Sequence, residues 1–167
     1  MVCKEDGEDG LGSGESPGAH EVTRKRTGDP WMPASQYAAS LTGLTVNLLV
    51  RDIVGSLPFY TEVLELKALY SDPDFAALEG GPGVRIMLHA DHTLDHSSAD
   101  AARMAVPGKR GTGAEIRILG LDPDQVEARA RARGFTVNVP AQTFPHGWRE
   151  CRLEDANGYI FAVGILA

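Results

Sequence analysis

Thr45-Val46-Asn47-Leu48-Leu49-Val50-Arg51-Asp52 and Glu115-Ile116-Arg117-Ile118-Leu119-Gly120-Leu121-Asp122 are one phrase written twice in this chain. Each alternates as a strand does and closes on an aspartate placed to cap a helix. A βα unit present in two copies follows from the repetition. Residues opening the two copies become the first candidates to line a pocket between them.

Working outward from the first copy, Asp52 predicts a helix over 53–64, with Leu57, Tyr60 and Leu64 at helical spacing and Pro58 early enough to be tolerated. The apolar runs 66–71, 75–79 and 84–89 are separated by Asp72-Pro73-Asp74 and Gly80-Gly81-Pro82-Gly83, which is turn chemistry. They read as an antiparallel meander. From the second copy, Pro123 at a first helical position and Gly134 beyond the last predict a helix over 123–133. A strand over 135–139, a loop over 140–147, a strand over 148–154, the turn Asp155-Ala156-Asn157-Gly158 and a strand over 159–165 complete it. The fold class is therefore α+β: two tandem βαβββ modules, each forming half of a cup-shaped mixed sheet with helices outside.

The organisation expected is a disordered or loosely packed leader over 1–40 and a single domain over 41–167. Within that domain 41–90 is the first module, 91–111 a linker and 112–167 the second module. Met1 to Asp29 is rich in Gly, Ser, Asp and Glu and poor in large apolar residues, a composition that cannot offset the entropy of ordering. Trp31, Met32 and Tyr37 could pack on the domain, although Pro30 and Pro33 forbid a long regular element. The leader has no apolar core of signal-peptide length, and no run elsewhere is long enough to span a bilayer. A net charge of −7 opposes capture of nucleic acid. The two cysteines, Cys3 and Cys151, do not make a disulfide framework, which fits a cytoplasmic protein.

Three stretches give the chain a resemblance to the vicinal-oxygen-chelate superfamily, which includes glyoxalase I, extradiol dioxygenases, fosfomycin-resistance enzymes and bleomycin-resistance proteins. They are Val46-x-Leu48-x-Val50-x-Asp52-x-x-x-Ser56-x-x-Phe59-Tyr60, Gly113-Ala114-Glu115-Ile116 leading to Asp122, and Asp155-Ala156-Asn157-Gly158-Tyr159-Ile160-Phe161. The resemblance covers about Leu41 to Gly164. It implies a cup, often in a homodimer, and in metal-dependent members four ligands on the first and last strand of each module. Those places fall here on Thr45, Met87, Glu115 and Ala162. Only Glu115 is a good donor for a divalent cation, so the expectation is no metal cofactor and a likeness to the bleomycin-resistance branch. A divalent metal ion remains the alternative. His89, His92 and His96 are the side chains that could supply it, with solvent exposure the simpler reading of the last two.

Strand alternation sorts what the cup would present. Asn47, Arg85, His89, Glu115, Arg117, Trp148, Glu150 and Arg152 share the face opposite the packing residues, and together they form the candidate ligand-binding set. Arginine offers bidentate donors to carboxylate or phosphate, and Trp148 offers a stacking wall. Mutual Arg–Glu pairing is the structural alternative. The function expected is binding of a small polar or aromatic molecule without a metal, as in antibiotic resistance by sequestration. Its alternatives are a metal-dependent lyase, isomerase, thiol transferase or dioxygenase, or a metal-free enzyme using Glu115 or Glu150 as general base. Cys151 falls on the apolar strand face and reads as a core residue. Gly80-Gly81-Pro82-Gly83 lacks phosphate-loop spacing, and Asp122-x-Asp124 is explained by capping.

Overall fold

The computed structural model describes residues 26–93 and 110–167. Two four-stranded mixed sheets carry the fold. The first contains β1 (Val46–Val50), β2 (Lys67–Ser71), β3 (Phe75–Glu79) and β4 (Arg85–Ala90) in the order β1-β4-β3-β2. The second contains β5 (Glu115–Leu119), β6 (Thr136–Thr143), β7 (Trp148–Glu154) and β8 (Ile160–Leu166) in the order β5-β8-β7-β6. In each, the first strand runs parallel to the last and the other pairs are antiparallel. The βαβββ duplication is thus present in topology and in pairing direction.

The alternation read from the sequence sets what each sheet buries. Leu48 and Val50 of β1, Ile118 of β5 and Cys151 and Leu153 of β7 turn into the core, while Asn47, Glu115 and Arg117 face outward. Asp52 caps α2 (Ile53–Pro58) by accepting from Gly55 N at 2.6 Å, and Asp122 caps α3 (Pro123–Ala132) by accepting from Asp124 N at 2.9 Å. Such a cap is worth about 1 kcal/mol. Gly134 ends α3 at φ 75°, a left-handed conformation that favours glycine.

One core serves both modules. Phe59, Tyr60 and Val63 of the first pack in the same buried cluster as Val126, Leu153 and Phe161 of the second, and the Phe59 ring lies 5.1 Å from Phe135 and 5.3 Å from Phe161. Polar ties close the joint. Tyr60 donates to Asp155 Oδ2 at 2.8 Å, Arg51 N donates to Asn157 Oδ1 at 2.9 Å, and Asn157 Nδ2 donates to Ser56 Oγ at 2.9 Å. Asp155 and Asn157 belong to the turn before β8, so that turn is an inter-module clamp as well as a hairpin.

Two expectations are corrected. The helix over 53–64 is α-helical only to Pro58; Phe59–Val63 continues as a π turn, with Leu64 N donating to Phe59 O. Pro58 has no N–H for the carbonyl four residues back, and the ladder widens after it. The loop expected over 140–147 begins later, because β6 runs to Thr143. β6 is an edge strand, where proline is tolerated, and the register slips between Val139 and Gln142 so that Ala141 N donates to Glu127 Oε2 on α3 instead. No helix among the described residues is long and apolar enough to cross a membrane.

Candidate functional site

The outward face of the first sheet is roofed by the segment that precedes β1. Residues 26–33 lead into a short helix, α1 (Ala34–Ser40). Trp31 stacks on Tyr70 at 5.2 Å and 9°, and Tyr37 meets Phe75 edge-on at 5.6 Å. Each such aromatic pair contributes about 0.5–1.5 kcal/mol beyond its area. The segment is fastened by charge too: Thr27 donates to Asp74 through its N at 2.7 Å and its Oγ1 at 2.6 Å, and Arg26 pairs with Asp72 at 2.5 Å. Asp74 also meets His92 Nε2 at 2.7 Å. Burial of Asp74 opposes ionisation, but the Thr27 and His92 hydrogen bonds and the Arg26 charge outweigh it and hold the carboxyl down at about 2.

Between roof and sheet is a cavity of about 450 Å³. Trp31, Met32, Tyr37, Tyr70, Phe75 and Met87 make it aromatic and thioether-lined, with Asn47 and His89 as its polar floor and the paired Arg26 and Asp74, with Thr93, also on its lining. His89 Nδ1 lies 2.6 Å from Asn47 Oδ1. With the amide oxygen accepting, Nδ1 carries the proton of this bond. The ring also rests 4.8 Å from Phe75. No second-module residue lines this cavity, so it is not the expected space between modules.

The corresponding face of the second sheet is a charged trough. Arg117 on β5 donates to Glu115 Oε1 at 3.0 Å and reaches across β8 to Glu150 on β7, while Arg152 Nε lies 2.8 Å from Glu115 Oε2. Arg117 and Arg152 side chains are 41% and 38% exposed, but Glu150 is 1% exposed. Its Oε2 has no hydrogen-bond partner. An unsatisfied buried polar atom costs about 1–3 kcal/mol, more when charged. Gly164 creates the space: a Cβ there would lie 2.8 Å from Glu150 Cγ. Arg152 also covers the Phe144 ring, which stacks on His146.

Six of the eight residues expected to line one cup therefore fall into two groups. Asn47 and His89 meet in the cavity; Glu115, Arg117, Glu150 and Arg152 meet in the trough, with Trp148 half-buried at the start of β7. Arg85 joins neither, because it pairs with Glu79 at 2.7 Å at the far end of β4. Sequence reasoning left out Tyr70, Phe75 and Asp74, and it treated Trp31 and Tyr37 only as packing residues. The usable signal was a pair of aromatics inside an otherwise polar N-terminal stretch.

The four family ligand places do not form a donor set. Ala162 presents a buried methyl, Met87 a soft sulfur within the cavity, and both carboxylate oxygens of Glu115 are engaged by arginines. A hard or borderline divalent ion needs several N or O donors converging. Among the described residues no group of three His, Cys, Asp or Glu side chains is so gathered. His92 is held by Asp74, and His96 lies outside the described residues. Cys151 is fully buried, and burial, with the Glu127 and Asp124 charges, pushes its thiol up to about 12, which removes it as a nucleophile.

The family model for the Glyoxalase/Bleomycin resistance protein/Dioxygenase superfamily matches residues 44–163. Several solved structures share the fold. A glyoxalase/bleomycin resistance protein/dioxygenase from Nocardioides is 22% identical, with a TM-score of 0.56, covering 79% of this chain and 89% of that one. A family enzyme from Burkholderia phytofirmans PsJN is 20% identical, TM-score 0.60, covering 74% and 97%. Lactoylglutathione lyase from Agrobacterium tumefaciens is 18% identical, TM-score 0.53, covering 74% and 92%. Among proteins of curated function, none is similar enough in sequence to match.

Proposed function

The chain belongs to the glyoxalase/bleomycin resistance protein/dioxygenase superfamily, and on that premise we propose that it binds a small, flat, largely apolar molecule in the first-module cavity without a metal ion. One observation carries this reading: aromatic and thioether walls surround a hydrogen-bonded Asn47–His89 pair. Apolar walls with a few placed polar groups are the usual make-up of a small-molecule site. Trp31 and Tyr37 supply stacking surface, and the amide–imidazole pair orients one polar edge of the guest. Sequestration of this kind suits a resistance or carrier role. The reading includes a homodimer, and a cytoplasmic setting suits the buried thiol of Cys151.

Trp31 reports on the cavity once Trp148, the other tryptophan, is replaced by Phe. Titration with a panel of flat aromatic acids, phenols and heterocycles is expected to give saturable quenching for at least one class. Tyr37→Ala and His89→Leu should each weaken that compound by about tenfold or more, the loss of roughly 1.4 kcal/mol. Absence of quenching across the panel, or equal affinity in both variants, overturns the proposal. Recovery of the bound compound unchanged after long incubation separates binding from turnover.

A further inference from the structure

The charged trough of the second module holds an unmet demand that the cavity reading does not use. Glu150 is 1% exposed and its Oε2 has no hydrogen-bond partner. Gly164 opposite it in the β7–β8 register leaves the room that its side chain occupies. Arg152, two residues along the same strand face, lies with Nε 2.8 Å from Glu115 Oε2 as an ion pair without a hydrogen bond, and its guanidinium covers Phe144; its terminal nitrogens are the bidentate donors it can offer a guest. Ala162 and Gly164 floor the trough between the arginines and glutamates of β5 and β7.

We propose that this trough is a second binding site, for a small amino carboxylate whose N–H donates to Glu150 Oε2 and whose carboxylate takes the terminal nitrogens of Arg152. The charge count agrees. Glu115, Glu150, Arg117 and Arg152 sum to zero, so a zwitterion adds no net charge to a paired set, whereas a lone anion or cation would. Entry requires Arg117 to swing away from Glu150, and its half-exposed side chain is long enough to do so. The donor and carboxylate must be close together in the guest, because Glu150 and Arg152 are next neighbours on one strand face. That spacing selects an α-amino acid or a compact analogue over a long diamine or a dicarboxylate.

The test is a ¹H–¹⁵N NMR titration of the full chain with L-alanine, following the Trp148 indole and the Arg117 and Arg152 Nε–H resonances. Saturable shifts of these signals are expected, and acetate or methylammonium alone should bind at least about tenfold more weakly. Glu150→Gln replaces one carboxylate oxygen by a donor, and Gly164→Ala puts a methyl 2.8 Å from both Glu150 Cγ and Arg149 O, displacing the Glu150 side chain and its strand without changing any charge; each should weaken alanine by at least about tenfold. If either substitution prevents folding, Arg152→Met at the more exposed rim gives the same reading. No saturable shift with alanine, equal binding of the separate fragments, or unchanged affinity in folded variants overturns the proposal. Trp31 quenching by the cavity ligand, measured on the same variants carrying Trp148→Phe, stays independent of all these outcomes.

Discussion

The two modules share a backbone and oppose each other in chemistry. Aligning Asp52 with Asp122 and following the strand registers makes Asn47 equivalent to Arg117, Met87 to Ala162, His89 to Gly164 and Phe75 to Glu150. In the first module the bulk stands on the last strand, and the flanking strands and a roof enclose an aromatic hollow. In the second the last strand is stripped to Ala162 and Gly164, and long charged side chains lean over it from both sides. Duplication conserved the frame because caps, alternation and turns serve any such module. What faces outward is not fixed by caps, alternation or turns, and it differs at every one of these four positions.

The strongest way to break this comparison is at the shared core. If the modules were independent, Phe59→Ala would unfold one and leave the other. The ring is fully buried between Tyr60, Phe135 and Phe161, so a single cooperative transition lowered by about 3–5 kcal/mol is expected in urea melts. Two separate transitions would contradict the single-core description.

Next in size is the fastening that only the first module has. Asp74→Asn removes the charge held by Arg26, Thr27 and His92 and should cost about 2 kcal/mol, the equivalent of its carboxyl shift. The same carboxyl sets the pH dependence. Its folded pKa, about 2, lies below the ordinary 3.8, so its contribution is complete above about pH 4 and is lost as pH falls through about 2. Trp31 fluorescence should therefore change on acidification in that window, and Asp74→Asn should abolish that part of the change. The Trp148 signal should be the same in both proteins at neutral pH, because the roof touches only the first face.

A smaller effect probes the clamp between the modules. Tyr60→Phe deletes the hydroxyl that donates to Asp155 and whose ionisation burial and that carboxylate suppress. Asp155 keeps Asn157 N and Tyr159 N as donors, so the cost should be about 1–2 kcal/mol in the same melts. A loss above that of Phe59→Ala would show that the clamp, and not the aromatic core, joins the halves.

How far this contrast was legible in the sequence follows from what each feature depends on. Caps at Asp52 and Asp122, the stop at Gly134 and the inward set Leu48, Val50, Ile118, Cys151 and Leu153 are local, so spacing alone revealed them. The Glu–Arg assortment on the second face could also be read from alternation. The extension of β6 through Pro140 depends on its being an edge strand, and the π turn depends on how Pro58 is accommodated, so neither has a local signature. The roof was hidden for a further reason. Trp31 and Tyr37 are apolar residues in a polar stretch, and their partners Tyr70 and Phe75 come from another strand pair. Only the fold brings them to one cavity.

Arg85 supplies the smallest and sharpest comparison, since alternation alone placed it in the same ligand-binding set as Arg117 and Arg152. All three are about 40% exposed and paired with glutamate. Glu79, however, is itself 35% exposed, while Glu150 is buried with one oxygen unmet. A solvent-exposed pair is worth about 0–1 kcal/mol, so Arg85→Met should shift the urea midpoint by less than Tyr60→Phe does and leave Trp31 quenching unchanged. Arg117→Met, although it removes the same charge, strands the buried Glu150 and should cost about 3–5 kcal/mol. Equal costs for the two substitutions would mean that Glu150 is hydrated, and the contrast between an enclosed cavity and a buried charge pair would have to be redrawn as one between two open faces.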